Sequence, residues 1–186
     1  MQTRLTFVAN ASTPAVRAAA FPMDEGIDEF GRRDAAALAK EMRRSGVFLT
    51  SPALRAIETA TALGCDAVVD EGLRDLDLGR WAGHTLNSIA TSEPHALESW
   101  LSDPGSAPHG GESIDELIAR LGIWLNAVLP RQEDVVAITH PAVIRAAILA
   151  AIKAGSESFW HIDIAPLSVV ELSSNGQRWT LRAIKN

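Results

Sequence analysis

Along the chain, apolar positions alternate between short continuous runs and one-turn spacing. The clearest change of period lies in Glu133–Lys153. Val135, Val136, Ala137 and Ile138 form an apolar run bounded by charge, which predicts a strand buried on both faces. Beyond His140, residues Val143, Ile144, Ala147, Ile148, Ala151 and Ile152 recur at one-turn spacing and predict a helix with a single apolar stripe. Thr139 is placed at or near its N-cap, and Pro141 in the first turn, where a missing N–H costs little.

The same reading gives the other elements. Leu5–Val8 is a buried strand that runs into the turn residues Ala9 to Pro14. Ala35, Leu38, Ala39 and Met42 have helical spacing, with Gly46 as the stop after Arg43 and Arg44. Val47–Thr50 is a strand, and Ser51-Pro52 caps and opens a helix with Leu54 and Ile57 inward. Ala67–Val69 is a short strand followed by a loop through Gly79. Leu86–Leu101 is a helix broken at Pro94, with Leu97, Trp100 and Leu101 in the core. Ser113-Ile114-Asp115-Glu116 matches a capping box, and Ile114, Leu117, Ile118, Leu121, Leu125 and Val128 form the buried face behind it. Ser168–Leu172 and Arg178–Ile184 alternate around Asn175-Gly176, a hairpin signal. Strands separated by helices, then an antiparallel pair, predict a three-layer α/β/α fold with a mostly parallel sheet and an antiparallel edge. Residues 1–186 are expected to form one domain.

In such sheets ligands bind outside the carboxyl ends of the strands, and helix N-termini favour anions. His140 stands at that edge, either as a ligand-facing group or as a satisfied turn residue. Arg55 falls in the first turn of its helix, where a cation opposes the dipole; an anion bound there would account for it, and a solvated arginine is the plainer alternative. Asp75 and Asp77 are candidate acids or solvated loop carboxylates. His84 and His95 are expected at the surface, and His109 is either at a pocket rim or exposed. His140, His161 and Asp163 are a conceivable metal set without ligand spacing, so no metal or other cofactor is expected.

Composition narrows the partners. The 17 basic and 23 acidic residues give a net charge of −6, which disfavours nucleic acid as a partner. No apolar stretch reaches the ~20 residues of a membrane span, and a single cysteine, Cys65, fits a cytoplasmic setting.

The segments LTFVANAST, SPALRAIETA, LRDLDLGRWAG, HGGES, VVAITHPAVIRA and FWHIDIAPLSVVEL, in this order, resemble the histidine phosphatase superfamily, the phosphoglycerate mutase-like proteins. The resemblance covers nearly the whole chain and implies a phosphate pocket at the strands' carboxyl ends. In that family the first strand ends in Arg-His-Gly-Glu: the histidine attacks phosphorus and the arginine holds the phosphoryl oxygens. On this resemblance Arg55 matches the second arginine, His140 the second histidine, and Asp75 stands at the position of the acid that protonates the leaving group.

The first motif departs from the family. Ala9, Asn10, Ala11 and Ser12 replace the arginine, nucleophilic histidine, glycine and glutamate, and the first histidine of the chain is His84. A carboxamide is no useful nucleophile, because its nitrogen pair is delocalised into the carbonyl, although it still donates hydrogen bonds to an anion. Loss of the arginine removes a bidentate clamp from the place where transition-state charge builds up. If the backbone N–H after the second histidine helps hold phosphate, Pro141 cannot supply it. The expectation is a pseudophosphatase with a partial anion pocket of Asn10, Arg55 and His140 that binds an inorganic anion or a small phosphorylated molecule. Two other readings stand beside it. One is a structural or regulatory partner protein with a relic pocket, for which a homodimer is one form. The other is a phosphomonoesterase rerouted through His140, with Asp75 as its acid.

Overall fold

A computed structural model describes residues 3–42, 45–131 and 133–185. The strands are β1 (Thr3–Ala9), β2 (Val47–Thr50), β3 (Val68–Val69), β4 (Val135–Thr139), β5 (Val169–Ser174) and β6 (Trp179–Lys185). They form one sheet in the order β3-β2-β4-β1-β5-β6. The pairings among β3, β2, β4 and β1 are parallel, while β5 runs antiparallel to both β1 and β6. The mixed α/β architecture read from the sequence is therefore the observed one.

The helices are α1 (Pro14–Arg17), α2 (Glu29–Leu38), α3 (Leu54–Ala62), α4 (Leu86–Ser92), α5 (Pro94–Ser102), α6 (Ile114–Val128) and α7 (Pro141–Ile152). Leu5, Phe7, Val135 and Ala137 point to a core shared with α6 and α7, whereas Val8, Val136 and Ile138 point to one shared with α2 and α3. This two-residue alternation, with both faces covered, is why β4 has no polar side.

Several local expectations change. α2 ends at Leu38, and residues 39–42 continue as hydrogen-bonded turns. Arg43 and Arg44, named in the stop signal, lie outside the described residues. Gly46 serves a different purpose: at φ 103° it lets the chain pass the carbonyl of Asp134, from which a Cβ would stand only 2.1 Å. In α3 the inward face is Arg55, Ala56, Thr59 and Ala60, while Leu54 and Ile57 are exposed. Small side chains allow α3 to lie close to the sheet, and the Thr59 hydroxyl accepts a hydrogen bond from the Ala11 N–H. Ala53, rather than Ser51, is the N-cap of α3; the Asp24 carboxylate, from a distant loop, accepts from the Leu54 N–H.

The helix break at Pro94 and the capping box at Ser113 and Glu116 are present. Leu101 is exposed, Ile118 is only partly buried, and Trp124 completes the buried face of α6. In α7 the N-cap is His140, and the Thr139 hydroxyl instead donates to the Leu73 carbonyl at 2.7 Å. Ile152 is exposed at its end, where Lys153 takes a left-handed conformation at φ 58°. The hairpin at Asn175-Gly176 forms with a four-residue loop, because β5 and β6 pair from Ser174 and Trp179.

Candidate functional site

Three adjacent parallel strands end level with one another, Ala9 facing Thr139 and Thr50 facing Ile138. The residue that follows each strand is Asn10, Ser51 or His140, and all three are buried side by side. Asn10 Oδ1 lies 3.0 Å from His140 Nδ1, and His140 Nε2 lies 2.7 Å from the Ser51 hydroxyl. Arg55 reaches in from the first turn of α3 and donates from Nε to His140 Nδ1 at 3.2 Å. Its Nη1 donates to the Met23 carbonyl at 2.7 Å and its Nη2 to Asp75 Oδ2 at 2.6 Å. The same Asp75 oxygen stands 3.4 Å from His140 Nδ1. Arg55, His140, Asn10 and Asp75 thus meet at one point.

Charge in this floor is balanced internally. Burial pushes the His140 imidazole down to about 4, with the Arg55 charge acting in the same direction and Asp75 only partly opposing it. His140 is therefore neutral at neutral pH. With Nδ1 accepting from Arg55, the ring proton belongs on Nε2, directed at Ser51. For Asp75, burial raises the carboxyl pKa. Attraction to His140 and Arg55, with hydrogen bonds from Arg55 and the Leu76 N–H, outweighs it and holds the group below the usual carboxylate value. Asp75 is thus an anion already seated on the guanidinium.

A second layer holds Asp75 in place. Arg120 donates to both oxygens of Glu112 at 2.8 Å and to the carbonyls of Gly72, Arg74 and Asp75. Glu112 of the HGGES segment is in this way a rivet for the acidic loop. Gly111 has no room for a side chain, since a Cβ would lie 2.1 Å from the Asp77 carbonyl. Asp77 itself is exposed and accepts from the Gly79 N–H, so it is a turn residue and not a pocket acid.

Above the floor a cavity of about 200 Å³ opens between the loop after β1 and the start of α7, walled largely by Phe21, Leu76, Trp100, Phe159 and Trp160. Asn10, Arg55, Asp75 and Arg145 supply its charged or polar atoms, together with Thr13. His109 does not reach this rim. It is buried behind Trp100 and Trp81, accepts from the Gly111 N–H at Nδ1, and is held below its ordinary pKa chiefly by burial. His84, His95 and His161 are exposed, and Asp163 is exposed as well. Among the described residues no three His, Cys, Asp or Glu side chains cluster as a metal site would require. No described helix is long and apolar enough to cross a membrane.

Sequence reasoning missed Ser51, the Met23 carbonyl, Arg145 and the aromatic wall. Each depends on tertiary placement. The aromatic residues of FWHIDIAPLSVVEL were the only advance sign of the wall.

The sheet is of the mixed α/β class, with a histidine at the end of β4 and an arginine in the first turn of the helix after β2. The chain belongs to the histidine phosphatase superfamily (branch 1), whose pattern it matches over residues 16–186. The match begins after Asn10. A bifunctional protein of Mycobacterium tuberculosis is 33% identical over 162 residues, 81% of this chain and 44% of that protein. The chain thus spans less than half the length of that relative. Glucosyl-3-phosphoglycerate phosphatase of the same species is 33% identical over 148 residues, 70% of this chain and 66% of that enzyme. A solved structure of the mycobacterial glucosyl-3-phosphoglycerate phosphatase, in complex with VO3, superposes with a TM-score of 0.87 at 28% identity over 97% of both chains. A phosphoserine phosphatase from Entamoeba histolytica, at 18% identity and a TM-score of 0.88 over 99% of this chain and 97% of that one, shares the fold.

Proposed function

We propose that the protein is a non-hydrolysing member of its superfamily that binds a small phosphorylated molecule in the cavity above the floor of Asn10, Arg55 and His140. The observation that carries this reading is the Asn10 carboxamide at the end of β1, 3.0 Å from His140, where the family resemblance puts the nucleophile. A carboxamide has no free nitrogen pair with which to form a phosphoenzyme. Its neighbour Ala9, at the clamp position, is a buried methyl group.

Rerouted catalysis through His140 is less well supported. The ring is 1% exposed, and both of its nitrogens are already engaged, Nε2 by Ser51 and Nδ1 by Arg55. Asp75, ionised in its ion pair, has no proton to give a leaving group.

Aryl phosphate hydrolysis by the native chain, Asn10→His and the double variant Ala9→Arg with Asn10→His tests the reading. The native chain is expected to be silent and the double variant to turn over. One missing oxyanion contact costs ~10²–10³ in rate, so Asn10→His alone is expected to stay far below the double variant. Native turnover that disappears in His140→Ala would overturn the proposal.

A further inference from the structure

Every donor nitrogen of Arg55 is spent on the protein itself: on His140, Met23 and Asp75. The other guanidinium in the cavity wall is in a different condition. Arg145, one turn into α7, donates from Nε to the Ile162 carbonyl at 2.7 Å, which fixes its direction. Among the described residues neither Nη1 nor Nη2 makes a hydrogen bond. The nearest carboxylate, Asp163, is 4.0 Å from Nη2, and its side chain is 90% exposed. The Arg145 side chain is only 21% exposed, and its guanidinium carbon lies 5.7 Å from the Phe159 ring centre and 6.0 Å from that of Trp160. A partly desolvated guanidinium held by one nitrogen, with the other two unspent, is prepared to receive a planar bidentate acceptor.

We infer that Arg145 and the wall of Phe159, Trp160 and Trp100 form a second subsite, which selects a ligand with an apolar, ring-like body and a carboxylate or similar bidentate anion on it. This rests on the proposed binding of the phosphoryl group at Arg55 and deepens it. The ligand then spans the cavity from phosphoryl end to carboxylate end. A cavity of about 200 Å³, smaller than the ~300–1,000 Å³ of drug-sized sites, accommodates a single ring with substituents. Two anionic ends also make sense of the electrostatics: Asp75 cancels Arg55, and the cavity's remaining positive charge is at Arg145.

The test is calorimetric titration with the ortho, meta and para isomers of carboxyphenyl phosphate, with phenyl phosphate, and with benzoate, against the native chain, Arg145→Gln and Arg145→Lys. At least one isomer is expected to bind roughly tenfold or more tightly than phenyl phosphate, the worth of charge-assisted hydrogen bonds. Arg145→Gln is expected to erase that ratio, whatever it does to phenyl phosphate itself, and an unchanged thermal unfolding midpoint reports that the variant is folded. Arg145→Lys, with charge but no fork, is expected to keep only part of it. Three isomers that bind no better than phenyl phosphate, or a ratio that survives Arg145→Gln, would overturn the subsite. Benzoate binding as tightly as the best isomer would instead remove the phosphoryl seat at Arg55, and with it the functional proposal.

Discussion

Asp75 performs an act that a bound phosphate would otherwise perform: one of its oxygens touches both Arg55 and His140. A dianion entering this floor meets a like charge and takes the guanidinium away from its partner. Both effects raise the Asp75 pKa in the complex above its depressed value in the free protein, so binding takes up a proton. Affinity must then rise as pH falls, levelling once Asp75 is protonated in the free state. Sulfate is a suitable probe, because its own charge is constant across this range. Its affinity is expected to increase from about pH 8 to about pH 5, and Asp75→Asn is expected to bind it about tenfold more tightly near neutrality with little pH dependence, the size of one removed like charge. Equal affinity in both proteins, measured by calorimetry, would count against the internal ion pair as the obstacle. The identities of Asn10, Arg55, Asp75 and His140 were legible in the sequence, since their motifs follow the family order. That Arg55 and Asp75 neutralise each other was not, because the pairing spans 20 positions and depends on where Arg120 pins the loop.

At the scale of elements, the three strand ends explain the site. β1, β2 and β4 each deliver one polar residue at the same level, and α3 and α7 start beside them. Periodicity located these elements well wherever one face is strongly apolar, as in α6. It failed for α3, where Leu54 and Ile57 mark the exposed side, because the sheet there requires small residues at close range. Capping was predictable only when local. Ser113 and Glu116 close their own helix, but α3 borrows Asp24 from 30 residues away. The end of α7 offers a simple test. Lys153 holds a left-handed conformation that costs a side-chain-bearing residue energy and glycine almost none. Lys153→Gly is expected to raise stability by up to about 1 kcal/mol in urea denaturation, even though glycine also gains freedom in the unfolded chain. A loss of stability would show that the lysine side chain contributes more than the backbone strain removes.

For the whole molecule, the fold was legible because strand and helix periods alternate cleanly, and the antiparallel edge because Asn175-Gly176 marks a turn. The aromatic wall was not. It gathers Phe21, Trp100 and Trp160 from three distant segments, and nothing local in any of them indicates a common surface. The architecture is that of the histidine phosphatase superfamily, and the family assignment follows from residues 16–186. In the proposed function the end of the first strand carries the difference: Asn10 stands in place of an attacking group, and Arg55 and His140 are the part of the pocket that is kept. The central claim is that this scaffold holds phosphate without cleaving it. The measurement that tests it most directly is release of an aryl alcohol from its phosphate monoester by the purified native chain, compared with Asn10→Ala and His140→Ala. The account predicts the same background rate in all three. A native rate that falls in either variant would contradict it and return the protein to the enzymes.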